Sequence, residues 1–353
     1  MTLEASDGRL PVTYFVQLPP EYDPHRTYPA IVTLHGAGST PRQQIDWWAG
    51  TPGPDSMRLG QASRHAYIVI APAWGQLQQQ AYKFSAEEHA AVLNSLRDAC
   101  RRFSIDTDRV FISGHSMGGD AAWDMGLSHP DLWAGMIPIV AKADKYITRY
   151  WEQAKYVPFY LVAGELDGDK TTANAKHLDR YFNNNYDATV VEFLGRGHEN
   201  FSDEILRLFD WMGRKKREFA VKDFVGQTMR PSDSFFWWVE MSEFPAKSMV
   251  DPADWPPPSG TIPSLTKARI NASNGISVTT GADRVTLWLS PELIDFKRKI
   301  TISVNRGGLK MAQPFIEPDA KIILEDVRTR GDRLHPFWAK VEAPSGRVNV
   351  AGP

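Results

Sequence analysis

The residues with the clearest chemical potential stand in the segment Gly114-His115-Ser116-Met117-Gly118-Gly119, which matches the pattern G-x-S-x-G. The apolar run 109–113 precedes it, and a helical pattern over 118–127 follows it. Between a strand and a helix, such a serine occupies a sharp turn that lifts its hydroxyl above the sheet. The flanking glycines let neighbouring backbone approach without a clash against a Cβ atom. The pattern therefore predicts Ser116 as a nucleophile.

Two further segments carry the groups that a serine nucleophile requires. A serine hydroxyl reacts poorly unless a histidine, itself held by a carboxylate, takes its proton. His198 stands between Gly197 and Glu199, and Asp167 closes the segment 164–167. Each follows an apolar run, and the order serine, acid, histidine is the one that this strand–turn–helix arrangement uses. We predict Asp167 as the acid and His198 as the base.

The segment around Asp167 holds two other carboxylates that compete for the acid's role. Glu165 and Asp169 lie two residues away on either side. A stretch rich in glycine and aspartate is also typical of a plain turn.

Backbone amides that could stabilise an oxyanion come from two places. Such N–H groups lower the barrier to acyl transfer by roughly 3 kcal/mol each. One is expected from Met117, the residue after the nucleophile. The other is expected from the segment 34–38, where Ala37 is preferred and Gly38 is the alternative.

Several aromatic residues are candidates for substrate contact. Trp47, Trp48 and Trp74 follow the apolar runs 30–34 and 67–71, in loops expected at the edge of a sheet where ligands bind. Aromatic walls suit aryl or sugar groups by stacking, although ordinary packing is the alternative reading. His115 is a further candidate, but beside Ser116 it is expected to support the turn rather than to react.

The elements that must position these residues alternate between strands and helices. Short continuous apolar runs are typical of strands buried on both faces of a parallel sheet. Helical patterns lie between them, and one opens with a capping box formed by Ser85 and Glu88. The predicted strands are 30–34, 67–71, 109–113, 136–140, 159–163 and 190–194, and the predicted helices start at 85 and cover 118–127, 171–182 and 202–216. This alternation predicts an α/β fold with a doubly wound, mostly parallel sheet.

The character of the sequence changes after about residue 222. The segment 235–241 is predicted as one strand, a proline-rich stretch covers 251–263, and runs with period-two alternation follow. These runs are 276–279, 285–289 and 300–304, with a turn signal at 305–308. The pattern predicts a small antiparallel β domain, with a sandwich favoured. We therefore expect a catalytic domain over 1–221 and a β-rich accessory domain over 222–353.

Composition narrows the classes of partner. The 353-residue chain carries 40 Lys and Arg against 42 Asp and Glu, which gives no electrostatic basis for binding nucleic acid. No stretch approaches the roughly 20 apolar residues that a membrane span needs. The first eight residues show no signal-peptide pattern. The sequence does not identify the cellular compartment. Secretion or the periplasm is expected if a signal peptide has been removed upstream.

The motifs around Ser116, Asp167, His198 and the segment 34–38 resemble those of the α/β-hydrolase superfamily. Within it the chain resembles bacterial esterases of the feruloyl-esterase, polyhydroxybutyrate-depolymerase and dienelactone-hydrolase-like groups, and also the catalytic domain of prolyl oligopeptidases. The resemblance covers about residues 10–217. There is no room for the β-propeller of prolyl oligopeptidases, and the interval 141–157 is too short for the helical lid of many lipases.

The resemblance and the residues together imply a serine esterase that forms an acyl-enzyme, with no metal or organic cofactor. The expected substrate is a small-molecule or polymer-linked ester, aryl and carbohydrate-linked esters included. Two alternatives stay open. The same triad serves a serine peptidase on short peptides, and an inactive hydrolase scaffold could leave binding to the β domain.

Overall fold

The structure is a computed structural model that describes residues 2–5, 11–305, 307–308 and 315–344. The chain divides into two compact units, Met1–Arg217 and Glu218–Pro353. The boundary expected from the sequence lay at 221/222.

The first unit is built on one eight-stranded sheet with the order β1-β2-β4-β3-β5-β6-β7-β8. Its strands are β1 (Thr2–Ala5), β2 (Val12–Gln17), β3 (Tyr28–Leu34), β4 (Ile68–Pro72), β5 (Ile105–His115), β6 (Gly135–Ile139), β7 (Phe159–Gly164) and β8 (Ala188–Phe193). Strands β3 to β8 pair in parallel. They coincide with the six predicted apolar runs, which confirms the mostly parallel sheet. The antiparallel pairing of β1 with β2 and of β2 with β4 was not predicted.

Helices and short 3₁₀ turns connect these strands. The helices are α1 (Pro41–Ala49), α2 (Gln61–Arg64), α3 (Ala86–Arg102), α4 (Met117–Ser128), α5 (Lys170–Asn183) and α6 (Ile205–Met212). The capping box predicted at Ser85 and Glu88 opens α3, and an equivalent one at Thr40 and Gln43 opens α1. The sequence predicts a loop here, but α1 occupies this stretch. Trp47 and Trp48 therefore lie on a helix. The helix predicted over 202–216 is shorter, with a 3₁₀ turn over 202–204 before α6.

The core of the first unit lies against the central strands. Every residue of β3 and β4 is buried, as continuous apolar strands in a parallel sheet require. Side chains from these strands form one cluster with residues of α1 and α6, among them Trp48 and Trp211. This packing fixes the carboxyl ends of β3, β5, β7 and β8, which carry the predicted site residues.

Among its described residues, the second unit holds two small sheets and one α-helix. Its strands are β9 (Asp223–Thr228), β10 (Phe235–Phe236), β11 (Val239–Ser242), β12 (Ser264–Ile270), β13 (Gly275–Thr280), β14 (Arg284–Leu289), β15 (Thr301–Val304), β16 (Gly307–Gly308) and β17 (Ala339–Pro344), and its helix is α7 (Ala320–Arg330). The sheet orders are β10-β11-β14-β17 and β16-β15-β13-β12-β9. Strand β12 alternates strictly between buried and exposed residues, so this sheet buries one face.

The second unit departs from the prediction in three places. The single strand expected over 235–241 is a hairpin, because Trp237 takes a positive φ of 52° and the chain reverses between β10 and β11. Strands β13 and β15 pair in parallel, so the domain is antiparallel only in part. Helix α7 was not predicted. Of the turn signal at 305–308, Arg306 lies outside the described residues.

No helix among the described residues is both long and apolar enough to cross a membrane. Cys100, the one cysteine of the sequence, is buried in α3.

Candidate active site

Ser116 occupies a strained turn between β5 and α4. Its φ of 55° and ψ of −120° lie in a region that non-glycine residues enter only when the surroundings impose it. Its backbone N–H donates to the carbonyl of Ile139 at 2.9 Å. The two glycines of the motif are needed for space: a Cβ on Gly114 would lie 2.1 Å from the carbonyl oxygen of Gly118, and one on Gly118 would lie 2.2 Å from that of Leu34.

An imidazole and a carboxylate meet at the ends of β7 and β8. His198 Nδ1 lies 2.9 Å from Asp167 Oδ1 and 3.0 Å from Oδ2. The competing carboxylates are engaged elsewhere, Glu165 with the backbone N–H of Gly195 at 2.7 Å and Asp169 with Lys142 Nζ at 3.0 Å. Of the three candidate acids, Asp167 is therefore the one placed on the histidine.

Ser116 and His198 lie at the same edge of the sheet, but no hydrogen bond joins them among the described residues. The side chain of His198 is 47% exposed, whereas Asp167 is 9% exposed. Contacts between a nucleophile and its base often reach hydrogen-bonding length only when substrate is bound.

The loop after β3 lies against the nucleophile turn. A Cβ on Gly36 would meet the carbonyl oxygen of His115 at 2.8 Å and the Cβ of Ser116 at 3.2 Å, so this loop approaches as closely as glycine permits. Ala37 follows in an exposed position. Met117, which is buried, is the first residue of α4, where backbone N–H groups have no partner within the helix and the helix dipole favours negative charge.

The side chain of His115, next to the nucleophile, contacts two polar groups from other parts of the chain. Its Nδ1 lies 3.1 Å from Gln44 Oε1 and its Nε2 3.1 Å from the carbonyl oxygen of Asn200. Burial lowers the pKa of His115 to about 4, so the ring is neutral near pH 7. Trp47 packs edge-on against this ring and donates from Nε1 to the same Asn200 oxygen at 2.9 Å. The two side chains tie the loop that carries His198 to the strand that carries Ser116.

The other predicted aromatic contacts are in the interior. Trp48 is fully buried and donates from Nε1 to Thr33 Oγ1 at 3.1 Å. Trp74 is 4% exposed and lies 5.6 Å from the ring of His35, measured between centroids. These positions favour packing, the alternative stated above, over direct substrate contact for both residues. Trp47, partly buried, is engaged with His115.

Two basic side chains at the site were not predicted from the sequence. Arg196 clamps the loop of His198: its Nε and Nη2 donate to Glu199 Oε2, Nη1 donates to Asp203, and its guanidinium lies over Phe193 and Phe201. Lys170, at the start of α5, places its ammonium near both Asp167 and His198. No motif marks either residue. The only signal was sequence proximity to the predicted acid and base.

One family of proteins matches the sequence of this region. Residues 9–178 match the family model Esterase, whose description reads "Putative esterase". The matched segment contains Ser116 and Asp167 and ends before His198. The match covers a little under half of the chain and agrees with the predicted resemblance to esterases. No curated protein shows significant similarity to the sequence.

Several esterases are among the solved structures to which the chain is similar. A thermostable esterase is 19% identical, with a TM-score of 0.48 over 62% of this chain and 63% of its own, so less than two thirds of that esterase is matched. An S-formylglutathione hydrolase from Staphylococcus aureus is 17% identical, with a TM-score of 0.46 over 60% of this chain and 97% of its own. A ferulic acid esterase from Anaeromyces mucronatus is 14% identical, with a TM-score of 0.45 over 61% and 89%.

Proposed function

We propose that the first unit hydrolyses carboxylic esters through a Ser116–His198–Asp167 triad and an acyl-enzyme intermediate. The observation that carries the proposal is the contact of 2.9 Å between His198 Nδ1 and Asp167 Oδ1, at the same sheet edge as a serine held in a strained turn. A carboxylate on Nδ1 keeps that nitrogen protonated, so Nε2 is left with the lone pair that a base requires.

The reaction proceeds in two halves. Ser116 Oγ attacks the ester carbonyl while His198 Nε2 takes its proton, and the negative charge that develops on oxygen faces the N–H groups of Met117 and Ala37. His198 then gives the proton to the leaving alcohol, which frees it and leaves the acyl group on Ser116. Water, deprotonated by His198, attacks the acyl-enzyme and releases the acid.

Loop composition at this edge supports an open site with apolar surface. Leu77, Leu166 and Leu194 follow β4, β7 and β8, and their exposed fractions are 95%, 65% and 75%. The interval between β6 and β7 carries two 3₁₀ turns, Lys145–Thr148 and Trp151–Lys155, instead of a helical lid. These features favour esters with an apolar or aryl acyl group, small or attached to a polymer.

A substrate panel tests the proposal. We expect turnover of p-nitrophenyl acetate, p-nitrophenyl butyrate and methyl ferulate, and loss of at least about a thousandfold in kcat for Ser116→Ala. Ser273 is an exposed serine of the second unit. Ser273→Ala is therefore the matched control and should leave the rates unchanged. Faster cleavage of aminoacyl-p-nitroanilides than of esters would favour a peptidase, and absence of both activities would favour an inactive scaffold.

A further inference from the structure

Lys170 is the first residue of α5 and stands three residues after Asp167. Its ammonium lies close to three polar atoms. Nζ donates to the carbonyl oxygen of Val140 at 2.6 Å, lies 3.3 Å from Asp167 Oδ2 and lies 3.1 Å from His198 Nδ1. The side chain is 23% exposed, so this charge is only partly screened by water.

The Val140 carbonyl is a fixed anchor for this ammonium. Val140 follows β6 directly, takes a positive φ of 48° and donates its N–H to Val162 at 2.8 Å. The preceding residue, Ile139, accepts the backbone N–H of Ser116. Lys170 therefore connects the loop of the acid to the strand end that also holds the nucleophile turn.

Donor and acceptor roles at His198 Nδ1 conflict. Asp167 needs a proton on Nδ1, whereas donation from Lys170 needs a lone pair there and would move the imidazole proton to Nε2, where it blocks the base. Asp167 presents both oxygens at 3.0 Å or less, and Lys170 has Val140 and Asp167 as alternative acceptors. The arrangement with Nδ1–H on Asp167 therefore satisfies all the groups. Lys170, although paired with Asp167, is then a positively charged neighbour of the ring.

We propose that Lys170 is a positioning residue of the acid–base pair: it fixes the Asp167 carboxylate to the Val140 carbonyl, and its charge opposes protonation of His198. The inference rests on the proposed function for its catalytic consequence.

Other titratable or charged groups lie near His198 or Lys170, and their effects must be separated from that of Lys170. His115, on β5, is neutral near pH 7 because burial lowers its pKa to about 4. On the histidine's own loop, Arg196 is paired with Glu199 and Asp203. Asp120, on α4, accepts from the Lys142 N–H, and burial raises its pKa to about 7.

The test is an NMR titration of the His198 imidazole through its long-range ¹H–¹⁵N correlations, assigned with His198→Gln. We expect the wild type to carry the neutral proton on Nδ1. In Lys170→Met the titration midpoint should rise by about one pH unit, because a positive charge 3.1 Å from Nδ1 is removed at a partly solvated site. Lys170→Arg should retain the wild-type midpoint. Lys142→Met removes a neighbouring cation that pairs with Asp169 and serves as the control, with no shift expected.

For p-nitrophenyl acetate, the midpoint pH of the acid limb of kcat/KM should rise by the same amount in Lys170→Met. A midpoint that superimposes on the wild type, an equal shift in Lys142→Met, or a wild-type neutral proton on Nε2 would overturn the inference. Lys170→Gln replaces Lys170→Met if the latter does not fold. Because the titration needs no turnover, failure of the proposed esterase activity is distinguishable from failure at Lys170.

Discussion

The nucleophile turn depends on a glycine that leaves room for neighbouring backbone. Gly118 contacts the end of β3 so closely that a Cβ would lie 2.2 Å from the Leu34 carbonyl oxygen and 2.8 Å from that of His35. Both obstacles are backbone atoms, which cannot rotate away. Gly197, beside His198, has nothing nearer than 3.5 Å to its virtual Cβ, which is ordinary contact. Steric contact thus requires glycine at position 118 but not at position 197.

Gly118→Ala should lower the free energy of unfolding of the first unit by about 2–4 kcal/mol, since backbone must move to admit the methyl group. Gly197→Ala, the matched control, should change it by less than about 1 kcal/mol. Urea unfolding followed by tryptophan fluorescence measures both values. Equal effects of the two substitutions would refute the steric account of Gly118.

At the level of strands, helices and loops, the base depends on how its loop is held. The loop after β8 carries His198, and Arg196 binds this loop to Glu199 and Asp203 while covering Phe193 and Phe201. The Asn200 carbonyl, two residues after the base, is held from the other side by Trp47 and His115. The loop is therefore fixed at both flanks of the imidazole.

Arg196→Ala should lower kcat for p-nitrophenyl acetate by about tenfold, because displacement of a catalytic group by less than 1 Å already costs rate. Its effect on the free energy of unfolding should be small, as is usual for surface ion pairs. Arg26→Ala, which removes an exposed pair with Asp23, is the control and should change neither quantity. An unchanged kcat in Arg196→Ala would show that the loop is held without the guanidinium.

The strands that carry the site could be predicted from the sequence because short continuous apolar runs leave a strong signal, even for β8, which is only partly buried. The chain order of Ser116, Asp167 and His198 then selected the loops that matter. What could not be predicted depends on tertiary contact. Trp237 reverses the chain within a run that reads as one strand, and Lys170 acquires its neighbours only when the loops after β6, β7 and β8 come together.

Across the whole molecule, buried titratable groups make stability depend on pH. Burial lowers the pKa of His115 to about 4, from 6.5. Between pH 4 and 6.5, His115 is therefore neutral in the folded state but protonated in the unfolded chain. The unfolded state then binds more protons, and stability falls as pH drops from 6.5 towards 4. Asp120, whose pKa is raised to about 7 from 3.8 by burial, acts in the opposite sense, since its contribution to stability decreases as pH rises through that range.

The contribution of His115 is separated from that of Asp120 by comparing two proteins at two pH values. His115→Gln cannot titrate, so between pH 6.5 and 4 it should lose up to roughly 3 kcal/mol less stability than the wild type. Urea unfolding at both pH values gives the four free energies. Parallel losses in the two proteins would mean that His115 is protonated with little cost in the folded state.

The central claim, that Ser116 forms an acyl-enzyme with His198 as its base, is tested most directly by mass spectrometry after rapid acid quench of the full chain with p-nitrophenyl acetate. We predict one acetyl group, mapped by peptide digestion to Ser116, with a burst of p-nitrophenol of matching size. Ser116→Ala should show no acetyl group on that peptide, and His198→Ala should acquire it at least about a thousandfold more slowly. Acetylation at another residue, or hydrolysis that persists in Ser116→Ala at the wild-type rate, would contradict the account.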